Sequence, residues 1–299
     1  MSIPSFFLPS YHVSGGMARR MSVSDKKSAA GSIGIRSGPW YDGVIQSERG
    51  DFAMLRGTKA LVTGGTRGIG FAIAGKLAEN GCRVVITGRK EETLAEAVRQ
   101  LPGTVIPMAW DTANVEQARQ RVDEAARLLG GLDILVNNAG LFAQNNEWDP
   151  EQLLRTTPEQ WETVVRVNET GLFFAMQAGV GWMLDHQVPG NILNIASVAA
   201  WEPAYGAYGA SKTAAAALTR GWGKLFAPRG IVINGIAPGP VATAMNGWKE
   251  GDSLRHDRIP AGRFATAQEV AELAWYLLSR EASMICGETV TMDGAYAIR

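Results

Sequence analysis

Short apolar runs alternate with longer Ala-rich stretches along most of the chain, from Leu55 to the C-terminus. The runs at 59–63 and 83–87 are dominated by apolar, β-branched residues, which is typical of strands that are buried on both faces. Between them, apolar residues recur at helical spacing over 69–80, and Gly81 follows where a helix would end. The pattern then predicts strands at 104–110, 132–137, 191–196, 232–236 and 288–292, and helices at 115–129, 161–184, 205–226 and 267–278.

Strands that alternate with helices at this interval favour a parallel sheet with right-handed crossovers and helices on both faces. We therefore predict an α/β fold, a doubly wound parallel sheet of the Rossmann type, in a single domain spanning 55–299. No linker-like stretch interrupts that range.

Residues 1–54 have a different texture, because Ser, Gly and basic residues dominate and no apolar period persists. This composition predicts a flexible N-terminal extension. The apolar stretch near the start precedes the basic residues, which is the wrong order for a secretory signal. Three alternatives remain for this segment: an organelle-targeting signal, a remnant of recombinant expression, or residues upstream of the true start of translation at Met17, Met21 or Met54.

Composition narrows the classes of function. The 299 residues carry 29 basic and 29 acidic side chains, so no basic excess is present to bind a nucleic-acid backbone. Two isolated cysteines and three histidines support neither a disulfide scaffold nor a metal site. No apolar run approaches the roughly 20 residues of a membrane span. We expect a cytoplasmic protein with no metal, no membrane association and no nucleic-acid partner.

A glycine-rich turn joins the first predicted strand to the first predicted helix. Its sequence is Thr63-Gly64-Gly65-Thr66-Arg67-Gly68-Ile69-Gly70. Gly64 permits the tight turn, Gly68 lets the backbone approach a pyrophosphate, and Gly70 lets the helix pack closely on the strand. The helix N-terminus offers free N–H groups and a positive dipole end to the anion. The strand–turn–helix–strand context indicates a dinucleotide site, with a merely tight βα turn as the alternative.

The end of the second predicted strand indicates which dinucleotide is bound. NAD sites usually place an acidic residue there for the ribose 2′-hydroxyl, whereas this chain has Gly88 followed by Arg89. Arg67 lies within the glycine turn, and two guanidiniums suit the 2′-phosphate of NADP(H). The sequence therefore favours NADP(H), with two solvated loop arginines as the alternative.

Tyr208 and Lys212 lie four residues apart on a predicted Ala-rich helix, which places both side chains on one face. A phenol is a poor base at neutral pH, and a nearby ammonium favours its phenolate form. The pair thus suits a general acid and base that exchanges a proton with an alcohol or a carbonyl oxygen. Tyr205 is a competing phenol, but a lysine follows at the same interval only for Tyr208.

The TGxxxGIG turn and the YxxxK pair resemble the short-chain dehydrogenase/reductase (SDR) family. The similarity is to its short single-domain branch, including the 3-oxoacyl-[acyl-carrier-protein] reductases, and covers 55–299. It implies that Ser197 binds the substrate oxygen, that Asn168 holds a water for proton relay, and that Lys212 also binds the nicotinamide ribose. The implied catalytic residues are Asn168, Ser197, Tyr208 and Lys212.

The same resemblance implies the cofactor contacts. Asp111 would bind the adenine amino group, the NNAG motif (Asn137 to Gly140) would line the cleft, and Thr243 of PGPVAT would bind the carboxamide. The full predicted cofactor set is Gly64, Thr66, Arg67, Gly68, Ile69, Gly70, Arg89, Asp111, Thr112, Asn138, Ala139, Gly140, Tyr208, Lys212, Pro238, Gly239, Val241 and Thr243. In the closing DGG motif of the family, Ala295 replaces the last glycine.

Two loops depart from the family pattern, so the substrate stays open. The stretch from NNAG to Asn168 is longer than usual and includes residues 144–149, and the loop from Ser197 to Tyr208 is shorter, with Trp201, Glu202 and Pro203. Residues 244–260, with Met245, Trp248 and Lys249, correspond to the family's mobile lid. A polar small carbonyl, a polyol or a 3-oxoacyl thioester fits equally well.

The predicted function is NADP(H)-dependent hydride transfer between nicotinamide and a carbonyl or secondary alcohol. The alternatives are a catalytically silent NADP(H) sensor or scaffold, an NAD(H)-dependent sugar or polyol dehydrogenase, and an epimerase or dehydratase of the extended branch. The resemblance also implies a homotetramer, or a homodimer, formed through helices 161–184 and 205–226. Small residues are frequent there, and we expect many of them to be exposed; close packing within one subunit is the alternative.

Overall fold

The computed structural model describes residue 55 and residues 57–142 and 149–297, all within one compact unit that spans residues 37–299. The predicted extension at 1–54 and most of the lengthened loop, at 143–148, lie outside the described residues. The strands are β1 (Lys59–Val62), β2 (Arg83–Gly88), β3 (Thr104–Ala109), β4 (Ile134–Asn137), β5 (Gly190–Ile195), β6 (Ile231–Pro238) and β7 (Thr289–Met292). The helices are α1 (Gly68–Glu79), α2 (Glu91–Gln100), α3 (Ala118–Leu129), α4 (Pro150–Leu153), α5 (Pro158–Val165), α6 (Leu172–Asp185), α7 (Ala207–Phe226) and α8 (Ala267–Leu278).

The described strands form one parallel sheet in the order β3-β2-β1-β4-β5-β6-β7. The chain winds outward from β1 in one direction and from β4 in the other, so the strand order reverses between these two strands. This confirms the predicted doubly wound parallel sheet. Ligands of such sheets bind at the carboxyl ends of the strands beside the reversal.

The sheet has a hydrophobic core on each face, because successive side chains of a strand point to opposite sides. In β1, Ala60 and Val62 pack with α1 and α8, whereas Leu61 packs on the other face with α3 and α6. All three residues are fully buried. Burial of a leucine side chain such as Leu61 stabilises the fold by about 1.5 to 3 kcal/mol.

The helices differ from the sequence prediction in several places, and the short helix α4 is one that was not predicted. Helix α2 was not predicted, because it is highly charged and buries only Leu94 and Ala97. The helix expected at 161–184 begins earlier, at Pro158, where Thr157 and Gln160 form a capping box. It continues through a π-helical turn at Arg166–Gly171 into α6.

The small residues of α6, α7 and the π turn are mostly buried within the subunit. Gly171, Ala175, Gly179 and Gly223 are buried, and a Cβ at Gly179 would lie 2.7 Å from the side chain of Leu135. The prediction that these residues are exposed was therefore wrong for most of them, because they let the helices pack closely on the sheet and its loops. Ala217 and Gly221 do face outward. Within the described part of the chain, no helix combines the length and the apolar character that a bilayer crossing requires.

Candidate active site

The glycine turn between β1 and α1 is held in place by the NNAG segment that follows β4. The Thr63 hydroxyl accepts hydrogen bonds from the backbone N–H groups of Asn138 and Ala139, at 3.0 and 3.1 Å. The Asn138 amide donates in return to the carbonyl oxygens of Thr63 and Gly64, at 3.0 and 2.9 Å. A Cβ at Gly64 would lie 2.9 Å from Ala139 Cα, so this contact requires glycine. Two motifs that are far apart in the sequence thus form one edge of the cleft.

The N-terminus of α1 is suited to a pyrophosphate. Arg67 is its N-cap residue and makes no side-chain cap, and the first turn carries no acidic residue, so the backbone N–H groups face the cleft without a competing side chain. Gly68 has a φ of +59°, a conformation that favours glycine, and a Cβ there would lie 3.5 Å from Thr243. The geometry therefore fits the predicted pyrophosphate turn and brings Thr243 to it. Ile69 is half-buried behind this turn.

Gly88 at the end of β2 stands where an NAD site has its acidic residue. A Cβ at Gly88 would lie 2.7 Å from Thr66 Cγ2, so an aspartate there would require the Thr66 side chain to move. Arg67 and Arg89 are both exposed. Neither guanidinium has an ion-pair partner among the described residues, which leaves both accessible to an anion.

Asp111 follows β3 at the same edge of the sheet. The N–H of Trp110 donates to the Gly88 carbonyl oxygen at 3.0 Å, which brings the ends of β2 and β3 together. Asp111 is exposed, and its carboxylate accepts a hydrogen bond from Ala113 N at 3.1 Å. Thr112 is buried against Gly171 of the π turn. Asp111 therefore lies at the carboxyl end of the sheet, on the same edge as Gly88 and Arg89.

Tyr208 and Lys212 lie on one face of α7 as predicted, with Lys212 Nζ 5.7 Å from the centre of the Tyr208 ring. Both are buried, with 8% and 6% of their surface exposed. Lys212 Nζ donates to the Ile195 carbonyl oxygen at 2.9 Å, which fixes the ammonium at the end of β5. Burial lowers the pKa of Lys212 to about 8. At neutral pH the ammonium is therefore still mostly protonated beside the phenol.

Asn168 lies in the π turn, and its amide is bonded on both sides. Its Oδ1 accepts from Leu141 N at 2.7 Å, and its Nδ2 donates to Leu141 O at 2.8 Å and to Ser211 Oγ at 3.2 Å. A Cβ at Gly140 would lie 3.4 Å from Asn168 Oδ1 and 3.6 Å from Lys212 Nζ. The geometry thus brings the predicted Asn168, Lys212 and NNAG residues together around Gly140.

Ser197 lies two residues beyond the end of β5, and the predicted strand at 191–196 ends one residue earlier, at Ile195. It is half-buried, and its Oγ accepts a hydrogen bond from Ala199 N at 3.2 Å, capping a short 3₁₀ turn. The hydroxyl proton can still be donated to an incoming oxygen. Because Lys212 is bonded to Ile195, the Ser197 turn lies next to the Tyr208–Lys212 pair.

The PGPVAT segment at the end of β6 packs against the closing DGA motif near the C-terminus. A Cβ at Gly239 would lie 2.7 Å from the Asp293 side chain, so the closing DGA motif packs directly on Pro238-Gly239. Val241 is buried and pairs with Ala265. In the closing motif, Ala295 has a φ of +67°, a conformation that costs an L-residue about 1 kcal/mol and explains why glycine is usual there.

Two residues of the site were not predicted. Ser211 is fully buried and links Asn168 to Tyr208, because its Oγ also donates to the Tyr208 carbonyl oxygen at 2.8 Å. Its position three residues after Tyr208, on the same helix face, was the available signal. Phe142 stacks on the Tyr208 ring, with centroids 4.3 Å apart. The sequence feature that could have indicated Phe142 is its position two residues after the NNAG motif.

Among the described residues, no cluster of His, Cys, Asp or Glu could hold a metal ion. A dinucleotide cradle, a buried lysine and a neighbouring phenol define the site of a nicotinamide-dependent oxidoreductase. A family model described as enoyl-(acyl carrier protein) reductase matches residues 64–297. The chain belongs to the short-chain dehydrogenase/reductase family, whose members use a nicotinamide cofactor, and its relatives support an oxidoreductase that acts on CH–OH or C=O groups.

Similar proteins differ in what they are described as reducing or oxidising. A Bacillus subtilis protein described as a probable 2,4-dienoyl-CoA reductase is 36% identical over 248 residues, 78% of this chain and 94% of the relative. The 3-oxoacyl-[acyl-carrier-protein] reductase FabG of Thermotoga maritima is 33% identical over 252 residues, 82% and 99% of the two chains. A structure from Agrobacterium tumefaciens with bound NADP, assigned to the 2-deoxy-D-gluconate 3-dehydrogenases, has a TM-score of 0.71 at 32% identity and covers 83% of this chain and 99% of that one.

Proposed function

We propose that this protein is an NADP(H)-dependent oxidoreductase that reduces a carbonyl, or oxidises the matching secondary alcohol, with Tyr208 as general acid and base. The observation that carries the proposal is the buried Lys212 ammonium, bonded to Ile195 O at 2.9 Å beside the Tyr208 ring. This pair lies at the carboxyl ends of the central strands, next to the Gly140 end of the dinucleotide cradle.

The cofactor proposal follows from the cradle. The uncapped N-terminus of α1 would hold the pyrophosphate, and the exposed Arg67 and Arg89 would hold a 2′-phosphate. Asp111 and Thr112 would contact the adenine, and Asn138, Ala139 and Gly140 would line the cleft. Pro238, Gly239, Val241 and Thr243 would bind the nicotinamide carboxamide. Bound nicotinamide supplies or accepts the hydride at the substrate carbon.

The proton chemistry belongs to the chain itself. In reduction, Tyr208 donates its Oη proton to the carbonyl oxygen as negative charge develops there, and in oxidation it accepts that proton. Lys212 stabilises the phenolate that results and would also bind the ribose hydroxyls. Ser197 holds the substrate oxygen through its hydroxyl. Asn168 fixes the Leu141 backbone and completes the proposed proton relay through water.

The relatives are described as acting on different substrates, so the proposed substrate class stays broad. The shortened loop exposes Tyr205, and the lid region exposes Met245 and Lys249. These apolar and polar side chains would suit a 3-oxoacyl thioester, a small polar ketone or a polyol. We also propose that the protein is cytoplasmic and assembles as a homotetramer or homodimer through α6 and α7. The segment 1–54 is proposed to be an extension of the catalytic domain at 55–299.

The test is NADPH oxidation, followed by absorbance, against a panel of aldehydes, ketones and 3-oxoacyl esters. Turnover of at least one panel member is expected. NADPH binding without oxidation of any member would instead favour the cofactor sensor or scaffold. Intact Asn168, Ser197, Tyr208 and Lys212 support the enzyme, because a sensor has no need of all four.

Cofactor choice has its own test in Arg89→Ala. If the guanidinium binds the 2′-phosphate, the variant loses on the order of 1.5 to 3 kcal/mol of a charged hydrogen bond, or tenfold or more in kcat/KM for NADPH. The value for NADH should change little. Arg83→Ala is the matched control, because Arg83 is an exposed arginine at the opposite end of β2. An unchanged NADPH:NADH ratio in Arg89→Ala would refute this assignment.

A further inference from the structure

The side chain of Phe142 packs against the proposed catalytic phenol of Tyr208 and forms an aromatic wall beside it. The rings of Phe142 and Tyr208 are nearly parallel, with an interplanar angle of 12° and centroids 4.3 Å apart. Phe142 therefore covers one broad face of the Tyr208 ring. The same small cluster contains Val164, Val165 and Ala199, which pack around the two rings.

The backbone beside Phe142 is fixed, so the wall is held in place. Leu141, the preceding residue, is bonded to the Asn168 amide through both its N–H and its carbonyl oxygen, at 2.7 and 2.8 Å. Asn168 is itself buried and bonded to Ser211 on α7, the helix that carries Tyr208. The two stacked rings are thus anchored to one hydrogen-bonded unit.

This arrangement has a consequence for any ketone bound at the phenol oxygen. The oxygen lies at the rim of the stack, and only 8% of Tyr208 is exposed, so the open approach is narrow. A substituent of the ketone that points to the covered side meets the Phe142 ring. Branching next to the carbonyl carbon then produces a clash, because the half-buried Phe142 ring is held by its stack on Tyr208 and by the bonded backbone of Leu141.

We propose that Phe142 is a specificity-determining residue, which limits reduction at Tyr208 to ketones that are unbranched on the side of its ring. This inference rests on the proposed function. It concerns the shape of the substrate beside the reacting carbon and leaves the remote part of the substrate open.

The test compares pentan-3-one with 2,4-dimethylpentan-3-one, which carry identical substituents on both sides of the carbonyl. Whichever side faces Phe142, the comparison is therefore the same. We expect the wild type to favour pentan-3-one in kcat/KM, and Phe142→Ala to reduce that preference about tenfold, the effect of one or two methyl groups in a tight pocket. Phe142→Tyr keeps the stacked ring and should retain the wild-type ratio.

Phe226→Ala is the matched control, since Phe226 is a half-buried phenylalanine that packs on Trp222 at the far end of α7. This substitution also removes a phenyl ring, but at a position away from the site. The ratio of kcat/KM values for the two ketones should therefore equal that of the wild type. NADPH affinity is measured for every variant to separate misfolding from altered specificity. If Phe142→Tyr keeps the wild-type ratio of kcat/KM values for the two ketones, the effect of Phe142→Ala comes from loss of the ring beside Tyr208 and not from a merely structural change.

The outcomes separate the two proposals. An active Phe142→Ala enzyme with an unchanged ratio would overturn the role of Phe142 and leave the proposed function standing. Equal loss of the ratio in Phe226→Ala would also count against Phe142. Absence of NADPH oxidation with every ketone, in the wild type and all variants, would refute the proposed function and the inference together.

Discussion

At the scale of a single residue, burial of the Lys212 ammonium is energetically unfavourable. The group is removed from water and donates a hydrogen bond to one carbonyl oxygen, that of Ile195. Burial lowers its pKa from the ordinary 10.5 to about 8. The fold retains this unfavourable charge where the proposed chemistry needs it. Buried ionisable groups with shifted pKa values are frequent at functional sites for this reason.

The pKa of Lys212 predicts how stability depends on pH. Between about pH 8 and 10.5 the folded chain binds fewer protons at this lysine than the unfolded chain, so its contribution to the free energy of unfolding rises with pH. Below pH 8 both states are protonated and the cost of the buried ammonium is fully present. Relative to Lys212→Met, the wild type should gain on the order of 1 kcal/mol from about pH 8 to pH 9.5.

Denaturant unfolding of both proteins across this pH range measures the difference. Other titrating groups are common to the two chains and cancel in the comparison. A difference that stays flat, or falls, as the pH rises would contradict the lowered pKa of Lys212.

At the scale of the element, the π turn at Arg166–Gly171 connects two parts of the site. It presents Asn168 to the Leu141 backbone on one side and to Ser211 of α7 on the other. π-helical turns inside α-helices are rare and are often found at functional sites. Here the turn joins the segment after β4 to the helix that carries Tyr208 and Lys212.

Ser211→Ala tests this connection. The variant removes the acceptor of one buried Asn168 N–H, and it should lower the free energy of unfolding by about 1 to 2 kcal/mol. It should also lower kcat on the order of tenfold, with NADPH affinity unchanged, because Asn168 and the phenol lose their common anchor.

Thr213→Ala is the control for Ser211→Ala. The Thr213 hydroxyl also bonds a carbonyl of its own helix, that of Gly209 at 3.0 Å, and more weakly that of Ala200 at 3.4 Å, but no hydrogen bond joins it to Asn168. Its kcat should stay at the wild-type value. Equal effects of the two substitutions on kcat would show that Ser211 acts only through its helix.

The sequence predicted regular elements better than it predicted contacts. Strands such as β1 and β6 were evident because burial on both faces makes them almost wholly apolar. Helix α2 was missed, since two buried residues leave little periodicity in a charged segment. Tyr208 and Lys212 could be paired because a helix fixes their spacing, whereas the Phe142–Tyr208 stack joins residues 66 positions apart, which no local pattern encodes.

At the scale of the whole molecule, one helical face fits the proposed assembly. A groove of about 360 Å³ runs between the π turn with α6 and the face of α7, and its lining is mainly apolar. Its lining residues are Glu169, Thr170, Phe173, Ala214, Ala217 and Leu218. Apolar surface of this kind on paired helices suits a two-fold interface, in which the same patch occurs on both subunits.

Ala217→Glu tests the predicted assembly. Ala217 is an exposed small residue on this face, so a carboxylate there would be buried against its own copy and would disfavour association. Light scattering should give a tetramer or dimer for the wild type and a smaller species for the variant. Glu272→Ala, an exposed substitution on α8, should leave the mass unchanged. A monomeric wild type at micromolar concentration would refute the assembly.

The central claim is that Tyr208 moves the proton that accompanies hydride transfer. The most direct measurement is kcat of Tyr208→Phe with NADPH and the best ketone of the panel, alongside NADPH affinity. Loss of the phenol oxygen should lower kcat by roughly 10²- to 10⁴-fold, the usual contribution of a general acid, with NADPH affinity close to that of the wild type. Turnover near the wild-type rate in Tyr208→Phe would contradict the mechanism.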